Sequence, residues 1–433
     1  MASLPADFLF CFSVIDYLVI FAVLFLTMDL ARQQLKKNAP AAIVQQTIRT
    51  LMTSPGPVAR LAIHDLTKPT SSQKKWIKRF DNHHWKGAII APDAKKDSEQ
   101  AALDRLKNAE LVIYEIHGGG FRVGHCLMYM EAFISWLTIL KKNHNINAVI
   151  MSVEYGLAPK VCYPAPVMDC IGSYQYLTGE LGVSPSKIIV SGDSAGGIIS
   201  LEMLCHIYAP GLLTNPHAQR TNFDLDLPAG ILLSSPVVSV NQTSESWKKY
   251  AGSDIVSHKL FELVIKEYIA LKKNKLDKMA MLSLFNNLSH GGMEQICQGS
   301  MLFFVGEKEV FSDDIFAFAD IIKKTTSKLK VNVCKAQYAH DWYLIREIVR
   351  QEDKPMLKRC DEIVAKWCDR AVQYQLGLKH QQQQQMADHL QQQQLVEKED
   401  DESFEIAETV PASTSEKLPP SRTPDITSTL VLA

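Results

Sequence analysis

Residues 192–197 read Gly-Asp-Ser-Ala-Gly-Gly and contain the pattern Gly-x-Ser-x-Gly. In this pattern a sharp turn between a strand and a helix holds the serine hydroxyl clear of the backbone. The pattern is common by chance, but here an apolar run precedes it and a helical stretch from Ile198 to His206 follows it. Ser194 is therefore predicted to be a nucleophile. The motif residues around it are Gly192, Asp193, Ala195 and Gly196.

A glycine-rich segment lies closer to the N-terminus, where residues 117–121 read His-Gly-Gly-Gly-Phe after another apolar run. Loops of this kind supply backbone N–H groups to the charged oxygen that forms when a nucleophile attacks a carbonyl. Glycine is needed because the backbone must approach the substrate without an intervening Cβ atom. A serine nucleophile and an anion-stabilising loop, with His117 in its motif, together predict an ester hydrolase.

Apolar runs alternate with helical stretches from about residue 106 onwards. The stretches are long enough for crossover helices, so the sequence predicts an α/β fold with a mostly parallel sheet. Both glycine-rich motifs then lie at the carboxyl ends of strands, which is where open α/β sheets bind ligands. The predicted strands are Leu111–Ile116, Ala148–Val153, 187–191, Gly230–Ser234, 300–305 and 329–334.

Length and composition narrow the function further. The 433 residues leave room for one α/β domain of about 250–300 residues and additional segments. A formal net charge of −1 gives no basic field, so no nucleic-acid partner is expected. The nine cysteines lack a Cys-x-x-Cys pair and the 13 histidines lack the spacing of a metal site, so neither a metal nor an organic cofactor is expected.

An apolar run at residues 8–28 carries a single charge, Asp16. Its length of about 20 residues is enough to span a bilayer. Its Leu, Ile, Val and Phe side chains outweigh the cost of about 3 kcal/mol for one central Asp. A cleaved signal peptide is disfavoured, because no positive region precedes the run and no Ala-x-Ala-like site follows it. We therefore expect a single-pass transmembrane helix, with the lipid bilayer as partner.

The sequence leaves the side of the membrane open. The run is followed by three basic residues, Arg32, Lys36 and Lys37. By the positive-inside rule they favour a cytosolic location for the rest of the chain. The glycosylation sequons at Asn241 and Asn287 would matter only in a lumen.

The other segments differ in composition. Residues 29–105 are expected to form a helical lead-in and cap region, and residues 106–372 the catalytic domain with a cap insertion at about residues 245–290. Residues 373–433 contain glutamine tracts, a charge run and a Ser/Thr/Pro-rich end. Such segments bury too little apolar surface to offset their ordering entropy, so a mostly disordered tail is predicted, with a short coiled segment as the alternative.

A base and an acid must complete a serine hydrolase site, in the chain order serine, acid, histidine. His340 follows the last predicted strand and precedes a helix expected to begin near Trp342, so it is the candidate base. The acid should follow the predicted strand 300–305, where spacing does not choose among four carboxylates. These are Glu307, Glu309, Asp313 and Asp314.

On these motifs the chain resembles the hormone-sensitive-lipase family of α/β-hydrolases over roughly residues 110–346. Both glycine-rich blocks fit the family pattern, as do Glu-Tyr-Gly-Leu-Ala-Pro at residues 154–159, Tyr-Pro-Ala at residues 163–165 and Asp169. Family members usually read Asp-Tyr-Arg-Leu-Ala-Pro in the first of these, so the chain departs at its first and third positions. We expect both positions to be structural. The resemblance implies an α/β-hydrolase fold with a helical cap.

The resemblance also implies a set of site residues. The acid of the family lies in a segment like Asp-Pro-Leu-x-Asp, which matches residues 309–313 and implies Glu309 as the acid, with Asp313 as its substitute. The roles that follow are attack by Ser194, proton transfer by His340 and orientation of the imidazole by Glu309, without a cofactor. The implied oxyanion hole consists of backbone groups of Gly118, Gly119, Gly120 and Ala195.

In layout, the apolar N-terminal run followed by this domain resembles membrane-anchored deacetylases of the endoplasmic reticulum, of the steryl acetyl hydrolase and arylacetamide deacetylase types. This implies a lipophilic, short-acyl ester such as an acetylated sterol as substrate. Three alternatives stay open: an acylglycerol lipase, a receptor-like binding protein of the same fold, and an anchor with a vestigial hydrolase domain. Receptor-like members of the family lack the histidine that His340 supplies here. The sequence does not predict the oligomeric state.

Overall fold

Six parallel strands, from β4 to the edge strand β8, make up most of an eight-stranded sheet in the order β1-β2-β4-β3-β5-β6-β7-β8. The structure is a computed structural model that describes residues 40–215, 217–221, 224–269 and 291–408. The strands are β1 Ile77–Asp81, β2 Lys86–Ile90, β3 Leu111–Ile116, β4 Ala148–Val153, β5 Ile188–Asp193, β6 Gly230–Ser234, β7 Gly299–Gly306 and β8 Leu329–Ala336. All six predicted strands are present, and the mostly parallel α/β fold is confirmed.

Helices cover both faces of the sheet and its carboxyl edge. They are α1 Ala41–Thr53, α2 Gly56–Thr67, α3 Glu99–Lys107, α4 Met130–His144, α5 Ala165–Gln175, α6 Ser194–Tyr208, α7 Glu245–Tyr250, α8 His258–Ile269, α9 Ser312–Thr325 and α10 Lys354–Glu408. Helices α7 and α8 lie in the predicted cap insertion, of which residues 270–290 fall outside the described residues.

The core has two layers because the side chains of the central strands alternate between the faces of the sheet. In β3, Val112 and Tyr114 pack in the larger apolar cluster, with α5 and α6. Leu111 and Ile113 pack in the second cluster, with α4 and the first part of α10. The strands are buried on both faces, which is why they appear in the sequence as continuous apolar runs.

The edge of the sheet corrects the prediction for residues 29–105, which is not helical throughout. Strands β1 and β2 form a hairpin in this region, and β2 pairs with β4 in antiparallel register. Phe80 and Trp85 stack at 5.0 Å between ring centroids and join the core. The sequence signal was weak because β1 is a five-residue edge strand with only one fully buried side chain.

The C-terminal region also differs from prediction. A disordered tail from residue 373 is wrong as far as Glu408, because helix α10 continues to that residue. Gln, Ala, Leu, Glu and Lys dominate this part of the chain and are strong helix formers, which outweighs the low complexity of the sequence. The chain divides into a unit that ends at Gly377 and a second unit, which begins at Leu378 and is helical up to Glu408. Residues 409–433 lie outside the described residues.

The predicted transmembrane helix at residues 8–28 lies outside the described residues. Among the helices that the structure does describe, none is both long and apolar enough to span a bilayer.

Candidate active site

Ser194 occupies the turn between β5 and α6. Its φ of 47° lies in the left-handed region, which a serine adopts at a cost, so the surrounding structure must hold the turn. Gly196 allows this because a Cβ atom there would lie 2.0 Å from the carbonyl oxygen of Ile116 at the end of β3. The tight contact between α6 and β3 therefore fixes the serine at the carboxyl edge of the sheet.

His340 follows β8 and points its imidazole at the serine. Its Nε2 atom lies 2.8 Å from Ser194 Oγ, within hydrogen-bond distance, and both side chains are buried. Phe311 contacts the ring edge-on at 5.3 Å between centroids. Instead of the predicted helix near Trp342, a turn follows His340 and α10 begins only at Lys354.

Glu309 and Asp313 lie in different surroundings, although both follow β7. Glu309 is fully buried, and its Oε2 atom lies 3.9 Å from His340 Nδ1, longer than a direct hydrogen bond. The same oxygen accepts hydrogen bonds from Ser235 Oγ at 2.6 Å and from the backbone N–H of Gly306 at 3.2 Å. Asp313 is exposed at the start of α9 and accepts a hydrogen bond from the backbone N–H of Ser246 at 2.7 Å. The structure therefore brings Glu309, and not Asp313, to the imidazole.

The glycine loop contributes two of its three glycines to the cavity beside the serine. Gly119 and Gly120 line this cavity together with Ser194 and Ala195. The backbone N–H of Gly118 instead donates to Asp193 Oδ1 at 2.8 Å, so it is not available to an oxyanion as predicted. Gly119 has a φ of 107°, and a Cβ atom there would lie 2.2 Å from the carbonyl oxygen of Val123.

The motif residues His117 and Asp193 hold the glycine loop through buried contacts. Asp193 is fully buried and also accepts a hydrogen bond from the Tyr129 hydroxyl at 2.6 Å. The His117 ring stacks on Tyr155 at 4.4 Å between centroids, and the Tyr155 hydroxyl donates to the His117 carbonyl at 2.7 Å. Both motif residues are thus structural supports for the glycine loop.

Burial dominates the electrostatics of the site. It lowers the pKa of His340 to about 3 and raises that of Glu309 well above its ordinary value. Burial also raises the pKa of Asp193 to about 6 and that of Asp254 to about 7. A low pKa keeps the imidazole of His340 neutral at pH 7, the state in which Nε2 can accept a proton.

The cavity above Ser194 has a volume of about 120 Å³ and mostly apolar walls. Helices α1 and α2 contribute Ile48, Met52 and Ile63, and the cap contributes Leu260 and Phe261. The described residues contain no group of three or more His, Cys, Asp or Glu side chains placed to hold a metal ion. The arrangement suits an apolar group on an ester more than a charged ligand.

Arg122, the residue after the glycine loop, holds in place the helices above the active site, α1, α2 and α8, which together form its cover. Its guanidinium is buried, pairs with Glu267 of α8 at 2.7 Å, and donates to the carbonyl oxygens of Met52 and Ser54 at 2.6 and 3.1 Å. Phe121 stacks on Tyr268 of α8 at 3.8 Å between centroids. The glycine loop, the end of α1 and the cap helix are therefore joined at one point.

Sequence reasoning missed three buried polar residues of the site. Ser235 bridges Glu309 and the backbone N–H of Asp341. Asp341 Oδ2 lies 3.2 Å from His340 Nε2, and the residue has a φ of 55°. Asp254 accepts hydrogen bonds from the loops after β7 and β8. Only the proximity of Asp341 to His340 in sequence could have drawn attention to one of them.

Comparison with known proteins identifies the family. A family model described as the α/β-hydrolase fold matches residues 113–344, which is more than half of the chain. The chain belongs to the α/β-hydrolase fold family. The strand-turn-helix around Ser194 and the parallel sheet are the features of this family that the structure displays.

Three named relatives are similar to parts of this chain. Lipase 2 of Moraxella sp. (strain TA144) is 25% identical over 242 residues, which cover 51% of this chain and 52% of that protein. Arylacetamide deacetylase of Rattus norvegicus is 38% identical over 134 residues, 30% of each chain. A Schizosaccharomyces pombe (strain 972) protein whose name contains the words steryl acetyl hydrolase is 22% identical over 228 residues, covering 51% of this chain and 56% of that protein. The matches thus span about half the length of these relatives or less.

Solved structures share the fold. An esterase from the bacterial hormone-sensitive lipase family superimposes with a TM-score of 0.57 at 19% identity, covering 77% of this chain and 99% of that chain. The homologue EstE7 from a metagenome library gives a TM-score of 0.56 at 18% identity, with the same coverage. The resemblance to the hormone-sensitive-lipase family predicted from the motifs is therefore confirmed at the level of the fold.

Proposed function

We propose that this α/β-hydrolase is a carboxylic ester hydrolase in which Ser194, His340 and Glu309 form the catalytic triad. The observation that carries the proposal is the 2.8 Å contact between His340 Nε2 and Ser194 Oγ in a buried, mostly apolar cavity. Relatives named lipase, esterase and deacetylase support the same class of reaction.

The mechanism follows from the positions of these atoms. Ser194 Oγ attacks the ester carbonyl while its proton moves to His340 Nε2, and a tetrahedral intermediate forms. His340 then returns the proton to the leaving alcohol, which leaves an acyl group on Ser194. Water attacks the acyl-enzyme by the same route in reverse, releasing the carboxylic acid. Glu309, on the Nδ1 side of the ring, orients the imidazole and stabilises its protonated form; catalytic contacts such as its 3.9 Å separation commonly tighten when substrate binds.

The developing oxyanion would be held by the backbone N–H groups of Gly119, Gly120 and Ala195. These residues line the cavity with Ser194, and Ala195 lies in the first turn of α6, where backbone N–H groups lack a partner within the helix. The positive end of the helix dipole favours negative charge there. Loss of one such donor typically lowers kcat by about 100- to 1,000-fold.

The proposed substrate is a lipophilic ester with a short acyl group, such as an acetylated sterol. Support comes from the apolar cavity walls and from relatives whose names refer to arylacetamide and steryl acetyl substrates. The mostly apolar walls beside Ser194, to which α1, α2 and the cap contribute, would contact the apolar part of such an ester.

We further propose that residues 8–28 anchor the protein as a single span in the endoplasmic reticulum membrane, where such a substrate would partition. The support is the apolar run itself. Resistance to carbonate extraction tests the anchor. A glycosidase-sensitive shift that is lost on Asn241→Gln tests whether the catalytic domain is lumenal, since Asn241 is exposed.

Hydrolysis of a short-chain p-nitrophenyl ester by the full-length protein tests the activity, with Ser194→Ala as its partner. We expect the alanine variant to lose about a million-fold in kcat, because removal of a triad serine abolishes the covalent route. An unchanged low rate in both proteins would contradict the enzyme and favour a receptor-like binding protein. Comparative lipid analysis of cells with and without the protein would then identify the ester.

A further inference from the structure

Asp254, in the short connection between α7 and α8, is a buried carboxylate whose position is unusual. It is fully buried, although it belongs to the cap and is remote in sequence from the proposed triad. Its Oδ1 atom accepts hydrogen bonds from the backbone N–H groups of His340 at 2.9 Å and Ile255 at 2.7 Å. Its Oδ2 atom accepts one from the backbone N–H of Val310 at 2.8 Å.

Two of these donors belong to the loops that carry the base and the acid. One is the backbone N–H of His340 itself, and the other is that of Val310, directly after Glu309. A single side chain therefore joins the loop after β7 to the loop after β8 and fixes the distance between their backbones. The imidazole and the Glu309 carboxylate face each other across this junction at 3.9 Å.

A carboxylate is required because the donors are divided between its two oxygens. An asparagine offers one accepting oxygen and one NH₂ group, which is itself a donor. In either orientation of the amide, its NH₂ group would lie against the backbone N–H of one of the two loops, where no hydrogen bond can form. The isosteric change Asp254→Asn would therefore break one of the two connections without leaving a void.

Asp254 is in turn held by the lead-in helix. Arg49 of α1 donates to the backbone carbonyl of Asp254 at 2.6 Å and to that of Ala251 at 2.9 Å. Helix α1 is thus connected to the triad loops through one residue, since Arg49 binds the carbonyl of Asp254 and the Asp254 side chain binds both loops.

We propose that Asp254 is a positioning residue that holds His340 and Glu309 in register from the cap. The inference rests on the proposed triad and deepens it, because it assigns a role in catalysis to a residue that touches neither substrate nor the reacting atoms. It predicts that Asp254 acts through the His340–Glu309 pair and not through substrate binding.

The first experiment compares kcat and KM of the full-length wild type and Asp254→Asn on a p-nitrophenyl ester. We expect kcat to fall by about 100-fold, the size of a misplacement of about 1 Å, with KM changed less than about threefold. The matched control is Asp361→Asn, since Asp361 of α10 is another buried carboxylate, but its partner is Arg346, which precedes that helix. It should lower the melting temperature and leave kcat close to that of the wild type.

A double-mutant cycle with Glu309→Gln separates positioning from general loss of structure. If Asp254 acts through Glu309, the double variant should lose little more than Glu309→Gln alone, because groups that act as a unit are non-additive. Arg49→Gln is a milder second variant, useful should Asp254→Asn not fold. It should lower kcat by several-fold in the wild-type background and have no effect in the Glu309→Gln background.

Two results would overturn the proposal and leave the ester hydrolase standing. One is a folded Asp254→Asn protein with the kcat of the wild type. The other is a full, additive loss from Asp254→Asn in the Glu309→Gln background. If the wild type shows no hydrolysis that depends on Ser194, the proposed function fails and the role of Asp254 fails with it.

Discussion

The carboxyl edge of the sheet and the helices that cover it are built in different ways. At the edge, short backbone contacts hold the functional groups: Gly196 packs against the end of β3, and the N–H of Gly118 binds Asp193. In the cover, the long side chain of Arg122 holds α1 and α8, and Arg60 of α2 donates to the carbonyl oxygen of Arg122. Changes at the edge should therefore alter the chemistry, whereas changes in the cover, apart from Asp254 and its partner Arg49, should alter substrate choice and stability.

The largest effect that would test this difference comes from the two acids after β7. We expect Glu309→Gln to lower kcat by about 10,000-fold, because a triad without its acid holds the imidazole in the wrong tautomer. Asp313→Asn should lower it less than about threefold, since Asp313 only binds the backbone of Ser246 in the cap. Steady-state hydrolysis of a chromogenic ester measures both, and the reverse ranking would reject Glu309 as the acid.

The glycine loop should give the next largest effect. A methyl group at Gly119 would meet the carbonyl of Val123 at 2.2 Å with the backbone in a left-handed conformation. Gly119→Ala should therefore displace the loop and lower kcat by about 100- to 1,000-fold. Gly172→Ala is the control, because Gly172 is exposed on α5 with nothing within 4 Å of the added methyl. A Gly119→Ala protein with normal kcat would show that this loop does not hold the oxyanion.

The cover should respond with a change in selectivity. Met52 lines the cavity, and truncation to alanine would add space for roughly three heavy atoms. We expect Met52→Ala to raise kcat/KM for octanoyl relative to acetyl esters by about tenfold, the scale of a few methylene contacts in an apolar pocket. Met168→Ala, at an exposed position of α5, should leave the ratio unchanged. If the ratio is unaltered in Met52→Ala as well as in Met168→Ala, the acyl group does not bind against Met52.

The smallest expected effect is on the pH dependence of stability. It concerns His125, which lies where α2 of the cover contacts the core. His125 Nδ1 accepts a hydrogen bond from the N–H of Leu127, and Nε2 lies 2.8 Å from Thr67 Oγ1 of α2, which suits a neutral ring. Burial lowers the pKa of His125 to about 3, from 6.5 in a free side chain. Between these values the unfolded chain binds one more proton, so the folded state loses stability as the pH falls from 6.5 toward 3.

Replacement of this histidine should remove that part of the pH dependence. For His125→Gln, the free energy of unfolding should fall less steeply with acid, by about 1.4 kcal/mol per pH unit. Urea denaturation at several pH values between 4 and 7 measures the slope, with His83→Gln as an exposed control. Parallel slopes for wild type and His125→Gln would mean that the ring is protonated in the folded protein.

Sequence patterns predicted the edge of the sheet much better than its cover. Five of the six parallel strands were recognisable because burial on both faces makes them continuous apolar runs, whereas β8 is a partly exposed strand at the edge of the sheet. The chain order of the fold singled out His340 near Ser194. The choice of Glu309 needed a family resemblance, because four carboxylates follow the same strand and spacing does not rank them. Asp254 has no local signal, since its partners lie 56 and 86 residues further along the chain. The hairpin of β1 and β2 was missed because it is stabilised by pairing with β4, which the local sequence does not show. The length of α10 was missed because the helix propensity of its residues outweighs their low complexity.

The junction at Arg122 bears on where the protein can be cut for expression. A fragment that starts at residue 106, the boundary suggested by motifs alone, would delete the carbonyls of Met52 and Ser54 that this guanidinium binds. It would also remove β1 and β2 from the sheet and expose the flank of β4. Such a fragment would retain every group of the proposed triad and still lack the scaffold that seats its anion-binding loop. The smallest autonomous catalytic piece therefore has to include the lead-in helices.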